Sequence, residues 1–374
     1  MKAYRDAAQL SPAIWTGAVA VVVLVIVGLL NLSNAGAAAV ERFHQTQVLW
    51  VVLSLLAAAA VAVVDMRFFE QLAGLFYWIG IALLVLVLPF GKEVNHAHRW
   101  FAIGDFASFQ PSEFMKPALV LYLSRFFHGE RNPERYTLRA LLKPLGYVLL
   151  PVALIMMEPD LGTSLVVIAV GFSVMFFQGI RLRSFLILLG IILLTVPLAW
   201  EFDVIQPYQK QRVYTWLHMS GAAENVKVSA DRTMQPEQAL WAVGSGRLLG
   251  KGTEDAIQSR MRRLPEAHTD YIIASFAEQR GFLGCVLLLG LYAALTLSLL
   301  VLAVRARERF GVLVSVGAVA IVFWQVVFNI GMVLGIFPVV GLTLPFLSYG
   351  GSSMLSSMLA VGLALNSGLH RGQV

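Results

Sequence analysis

Charge is what this sequence has least of. Lysine, arginine, aspartate and glutamate make up 13% of its 374 residues, against about 25% in soluble domains. With 58% hydrophobic residues, that shortage excludes a water-soluble globular protein and leaves an all-α polytopic membrane protein. Cysteine is nearly missing too. Cys285 is the single one and lies in an apolar run, which excludes an internal disulfide and any paired-cysteine redox motif. Internal repeats, heptads and low-complexity tracts are not apparent. The glycine-rich "GSGRLLGKG" (244–252) lacks the form of a phosphate-binding P-loop. The formal net charge of +6 is read as the mark of cytoplasmic loops, and nucleic acid is not implied.

What is present is a series of long apolar runs. About 20 such residues cross a bilayer core. Runs at 14–32, 47–64, 71–89, 162–178, 184–199, 282–303 and 312–335 meet that length plainly, and 112–128, 140–157 and 352–368 are less uniform. Ten membrane helices are therefore expected, the first a retained span and not a cleaved signal. With the N-terminus inside, the inner segments hold 14 of the 28 Lys and Arg residues, and the short outer loops hold Arg42, Lys92 and Arg99. That bias places both termini in the cytoplasm. Residues 1–374 are read as one integral membrane domain. Within it, 200–270 forms a long outer loop between spans seven and eight, polar in its first half. Its glycine-rich second half is expected to hug the interface or re-enter the membrane.

On this topology the unusual polar residues gather on the outer side, where no ATP is available. "RRLPEAHTDYI" (262–272) crowds Arg262, Arg263, Glu266, His268 and Asp270 at the mouth of a span. Asp270 is expected to open a helix, with Glu278 two turns below it on the same face. A helix-capping carboxylate is the plainer reading of Asp270. Glu113 and Lys116 share a face at i,i+3 about one turn inside a span, as a buried ion pair or as ligand-binding groups. Arg99 beside Trp100 is compatible with an interface anchor. The glycines and prolines between Gly335 and Gly351 imply irregular backbone at membrane depth, tolerated where it is buried or lines a cavity.

Five blocks in order, "RWFAIGDFASFQPSEFMK", "EPDLGTS", "AVGSGRLLGKG", "LPEAHTDYIIASFAEQRGFLG" and "FPVVGLTLPFLSYGGSS", resemble the signature blocks of the SEDS family (shape, elongation, division and sporulation). The resemblance covers essentially the whole chain. It implies a bacterial peptidoglycan glycosyltransferase in the cytoplasmic membrane that polymerises lipid II on the outer face. It also implies a class B penicillin-binding protein and the elongation machinery as partners. The aspartate of "HTD", Asp270, is implied to be essential. A hydroxyl nucleophile needs a base, and Asp270 suits that role. The leaving pyrophosphate needs cations, for which Arg99, Lys116, Arg212 and Lys251 are candidates. Glu113, Glu266, His268, Glu278, Ser348 and Ser352 complete the expected substrate-binding set. A divalent cation, Mg or Mn, is compatible with Asp270 as a ligand. No nucleotide is needed, because the energy is already in the pyrophosphate bond.

Departures from the family pattern are local. Arg247 stands where relatives usually carry glycine, "AEQRG" replaces the usual "AEELG", and 219–234 is longer than typical. The "GKG" after the glycine-rich block favours the elongation branch over the division branch. The alternatives are a flippase for lipid-linked precursors and a non-catalytic scaffold for a penicillin-binding protein. The first would call for polar groups at mid-membrane on both sides, the second for loss of the carboxylate at 270.

Overall fold

The computed structural model describes residues 12–33, 38–94, 97–104, 107–130, 136–202, 205–222, 230–253, 255–256 and 268–369. Long helices dominate it. In chain order they are α1 (Pro12–Ser33), α2 (Ala38–Val63), α3 (Met66–Phe90), α4 (Pro111–Gly129), α5 (Leu138–Met157), α6 (Leu161–Gly179), α7 (Leu182–Glu201), α8 (Pro207–Met219), α9 (Ala230–Ser245), α10 (Ile272–Arg305), α11 (Arg309–Val333) and α12 (Gly351–Leu369). A small antiparallel sheet of β1 (Lys92–Val94), β2 (Ala97–Ile103) and β3 (Ala107–Phe109), in that order, joins α3 to α4. Its register pairs Phe101 with Phe109 and Trp100 with Lys92.

Nine of the described helices are long and apolar enough to cross a membrane, and they carry nine of the ten expected spans. The tenth, α4, has the length but not the composition, for a structural reason. It packs against α3, α5, α6, α11 and α12, and most of its residues are buried, Glu113, Lys116 and Ser124 among them. A helix enclosed by other helices has no lipid-facing stripe to keep apolar. The outer helices show the inverse. Phe90 is 73% exposed and Leu193 67% exposed, an apolar exterior suited to acyl chains. Polar side chains such as Gln325, Asn329, Ser356 and Asn366 are buried in the interior. Close helix approach depends on small residues: a β-carbon added at Gly317 of α11 would lie 2.2 Å from Val120 of α4.

The stretch 200–270 contains two helices, α8 and α9, and α9 packs on α10. The entry of α8 is set by Pro207 in its first turn and by Gln209, whose side chain accepts from the Gln206 backbone N–H at 3.1 Å. Asp270 does not open or cap α10. That helix starts at Ile272 with Tyr271 at its cap position and no side-chain cap, so Asp270 sits in the turn before it.

Candidate active site

α3, α6's neighbour α5, α7 and α11 all finish, and α4, α6, α10 and α12 all begin, at one end of the bundle, and the irregular segments gather there. The turn between α5 and α6 is "EPD". Asp160 caps α6: its Oδ1 accepts from the Thr163 backbone N–H at 3.1 Å, and its Oδ2 accepts from Thr163 Oγ1 at 2.9 Å and Gln110 Nε2 at 3.0 Å. Arg99 reaches from β2 to the same turn, donating from Nε to the Glu158 carbonyl at 2.7 Å and from its other nitrogen to the Pro159 carbonyl. It is thus a strap across two elements, which an interface anchor would not be.

The turn carrying His268, Thr269 and Asp270 is held by the segment between α11 and α12. Tyr349 N–H donates to the His268 carbonyl at 2.9 Å, and Ser348 Oγ donates to the Thr269 carbonyl at 2.6 Å. Asn329 Nδ2 donates to the Asp270 carbonyl at 3.0 Å and also to Leu342 O. Three consecutive carbonyls are therefore fixed, which orients the Asp270 side chain without using it. A β-carbon at Gly341, where φ is +72°, would lie 3.3 Å from Asp270 Oδ2, so the carboxylate lies against the irregular segment. Asp270 itself is half-buried.

Arg212 of α8 completes the group. It donates to the Val339 carbonyl at 3.1 Å, and Trp216 one turn on donates to Gly335 O at 2.8 Å, so α8 is tied to the same irregular segment. Burial, and then the nearby Arg99 guanidinium, hold Arg212 below the usual arginine range, while Tyr208, Asp160 and Asp270 act in the opposite direction. The Tyr271 phenol is raised by burial and by the Asp270 charge, with Arg212 opposing. Arg99, Asp160, Arg212 and Asp270 thus form one electrostatic neighbourhood, drawn from four distant parts of the chain.

The other expected residues have partners of their own. Lys251 Nζ is 3.6 Å from Glu278 Oε1, and Glu278 is fully buried. The pair fastens "GSGRLLGKG" to α10, where Lys251 and Gly252 N–H donate to the Glu278 and Gln279 carbonyls at 3.0 and 3.1 Å. The segment crosses α10 at a kink, Gly281, with φ +67° and ψ −170°. A β-carbon at Gly250 would lie 2.2 Å from Gln279 O, which explains the glycines. The segment therefore packs on the first turns of α10, with Phe282 and Leu283 N–H donating back to the Arg247 and Leu248 carbonyls at 2.8 and 3.0 Å. Arg247 has φ +50°, a conformation that favours glycine. Glu113 and Lys116 pair at 2.7 Å, Ser356 Oγ donates to Glu113 at 2.9 Å, and Gln325, with its amide oxygen turned inward, accepts from Lys116 at 3.1 Å. Lys116 is 0% exposed, so this network is satisfied within the helix interior and gives Lys116 no open path to a ligand. Ser352 Oγ accepts from Gln110 N–H at 3.1 Å and joins α12 to the entry of α4; Ser348 serves the carbonyl described above. Glu266 lies outside the described residues.

Two groups escaped the sequence reading. Asp160 is one. The other is Glu158, 1% exposed, with neither carboxyl oxygen hydrogen-bonded. Burial first, then the Asp160 charge, push its carboxyl up to about 9, with Arg99 opposing. The visible cue was two carboxylates around a proline with almost no loop between two spans. Among the described residues no group of three or more His, Cys, Asp or Glu is placed to hold a metal by protein ligands alone; a divalent cation bound with substrate phosphates would have Asp270 as its carboxylate ligand.

Comparison with known proteins places this arrangement. The cell cycle protein family model for FtsW, RodA and SpoVE matches residues 9–372. Peptidoglycan glycosyltransferase MrdB of Escherichia coli K12 is 36% identical over 321 residues, covering 86% of this chain and 84% of that protein. The probable peptidoglycan glycosyltransferase FtsW of Coxiella burnetii is 33% identical over 358 residues, covering 91% and 92%. Among solved structures, a chain of a peptidoglycan synthase complex coordinating polymerization and crosslinking superposes with a TM-score of 0.79 at 31% identity, covering 96% of this chain and 98% of that one. The crystal structure of the rod shape determining protein RodA of Thermus thermophilus gives 0.71 at 30% identity, with the same coverage.

Proposed function

This chain belongs to the FtsW, RodA and SpoVE family of cell cycle proteins, and we propose that it is a peptidoglycan glycosyltransferase that polymerises lipid II during cell elongation. The observation that carries the reading is a carboxylate, Asp270, in a turn with three fixed backbone carbonyls, beside the Arg212 guanidinium, which in turn neighbours Arg99, at one end of a membrane helix bundle. In the proposed step the 4-hydroxyl of one lipid-linked sugar attacks the anomeric carbon of another. A carbon–oxygen bond forms, the bond to undecaprenyl pyrophosphate breaks, and configuration inverts. Asp270 takes the hydroxyl proton. The pyrophosphate leaves with the electron pair, its charge met by Arg212 and Arg99, whose field is strong because both lie in a partly desolvated wall.

The same reading sets the surroundings. The site end faces outward from a bacterial cytoplasmic membrane with both termini inside, in keeping with the lysine and arginine bias. A class B penicillin-binding protein and the elongation machinery are the proposed partners; the likeness to a peptidoglycan synthase complex chain supports an assembly of this kind. No step above passes through a metal. The test is incubation of the purified full-length chain with lipid II, in chelator and in Mg or Mn, followed by gel analysis of glycan length. Polymer is expected; its absence in every condition from well-folded protein would refute the reading.

A further inference from the structure

At the end of the bundle remote from Asp270, where α3 begins, α4 ends and α11 begins, a cleft of about 490 Å³ is lined by Arg67, Glu70, Gln71, Arg125, His128 and Glu308. We propose that this cleft binds the headgroup of a zwitterionic phospholipid with a primary amine, phosphatidylethanolamine, its phosphate on Arg67 and Arg125 and its ammonium on Glu70 and Glu308.

The charges suggest the ligand class. Two guanidiniums face two carboxylates, so a purely anionic ligand would meet Glu70 and Glu308, and a purely cationic one would meet Arg67 and Arg125. A phosphate and an ammonium on one headgroup satisfy both. Much of this hydrogen-bonding capacity is unspent. Among the described residues, the Arg67 and Glu308 side chains enter no hydrogen bond or ion pair. Arg125 uses one nitrogen on the Gln71 carbonyl at 2.9 Å. His128 Nε2 stands 3.5 Å from Glu70, and its Nδ1 is enclosed without a partner. Charges facing each other across an unfilled space, and not closing into a pair, suit a ligand that carries both signs. Position suits a lipid. The cleft opens where the membrane helices end, at headgroup depth. On α3, Arg67, Glu70 and Gln71 share one face, while Phe68 and Leu75 on the adjoining face are 48% and 53% exposed, apolar surface against which an acyl chain can lie.

The proposal does not depend on the reaction assigned to the opposite end, and its test reads lipid retention. The full-length protein would be purified from an equimolar mixture of phosphatidylethanolamine, phosphatidylglycerol and phosphatidylcholine, and bound lipid counted by native mass spectrometry. Phosphatidylethanolamine is expected to be retained about tenfold over both others, the effect of losing one charge-assisted contact. Glu308→Gln should reduce its retention to the phosphatidylcholine level, and Arg67→Gln should lower retention of all three lipids, neither change lowering the melting temperature. Preference for phosphatidylglycerol would indicate a simple anion site and overturn the proposal. Equal retention of all three, the result expected of a peptide-binding cleft, would overturn it as well, as would a preference that survives Glu308→Gln. The headgroup series needs no variant, so it decides the matter even if a substituted chain fails to fold.

Discussion

Glu158 shows how much of a site is set by burial. Its side chain follows a membrane helix, precedes Asp160 by two residues, and is enclosed with no hydrogen bond. Its carboxyl releases its proton near 4.5 in the unfolded chain and at about 9 in the folded one. Between those values the folded state binds the extra proton, so stability falls as pH rises across the window. Glu158→Gln keeps the shape and removes the titration. The wild-type melting temperature should therefore decline faster than that of the variant between about pH 5 and pH 9; parallel curves would show that Glu158 is ionised in the fold. Neutral Glu158 also leaves Arg99 opposed by one negative charge fewer, which favours a pyrophosphate. In "EPDLGTS" the pair of acids in a tight turn between spans was readable, but not which of them is buried. By contrast, Asp270, Arg99 and Arg212 were picked from the sequence, Asp270 and Arg99 from their blocks and Arg212 from its charge in the outer segment, and the fold brings them together.

Between elements, the contacts that matter are those a linear reading cannot see. Lys251 and Glu278 were both expected near substrate, yet they face each other across the wrap of 246–252 on the Gly281 kink. That wrap depends on backbone meeting backbone. Gly250→Ala would add a β-carbon 2.2 Å from Gln279 O at φ +83°. A loss of at least about 2 kcal/mol is expected, read as a lower melting temperature with Asp270 unaltered; an unchanged melting temperature would mean the wrap is not rigid. The α4 network makes a second case. Removing one partner of a buried ion pair costs about 3–5 kcal/mol, whereas replacing both with neutral groups is often tolerated. Lys116→Met alone should therefore lose most folded protein, and Glu113→Gln with Lys116→Met should recover it. Recovery of polymer formation along with folding would make the pair purely structural. A folded but inactive double variant would return Lys116 to the site. The i,i+3 pairing itself was legible from spacing, but its enclosure by α11 and α12 was not.

At the scale of the whole molecule, hydropathy carried most of the architecture, because lipid imposes its demand on every helix that touches it. It was least informative where that demand is lifted, at enclosed α4, and where helices are too short and polar to register, at α8 and α9. Of the two, α8 brings Arg212 to the site, so the least legible region holds part of the proposed chemistry. The central claim is that Asp270, positioned by a clamp on its backbone, supplies the base for glycosyl transfer. Single-turnover polymerisation of lipid II by Asp270→Asn, set beside wild-type protein of equal melting temperature, tests it most directly. The account predicts a loss of roughly 10²–10⁴-fold in rate with lipid II binding retained; a folded Asp270→Asn chain that polymerises at near the wild-type rate would contradict it.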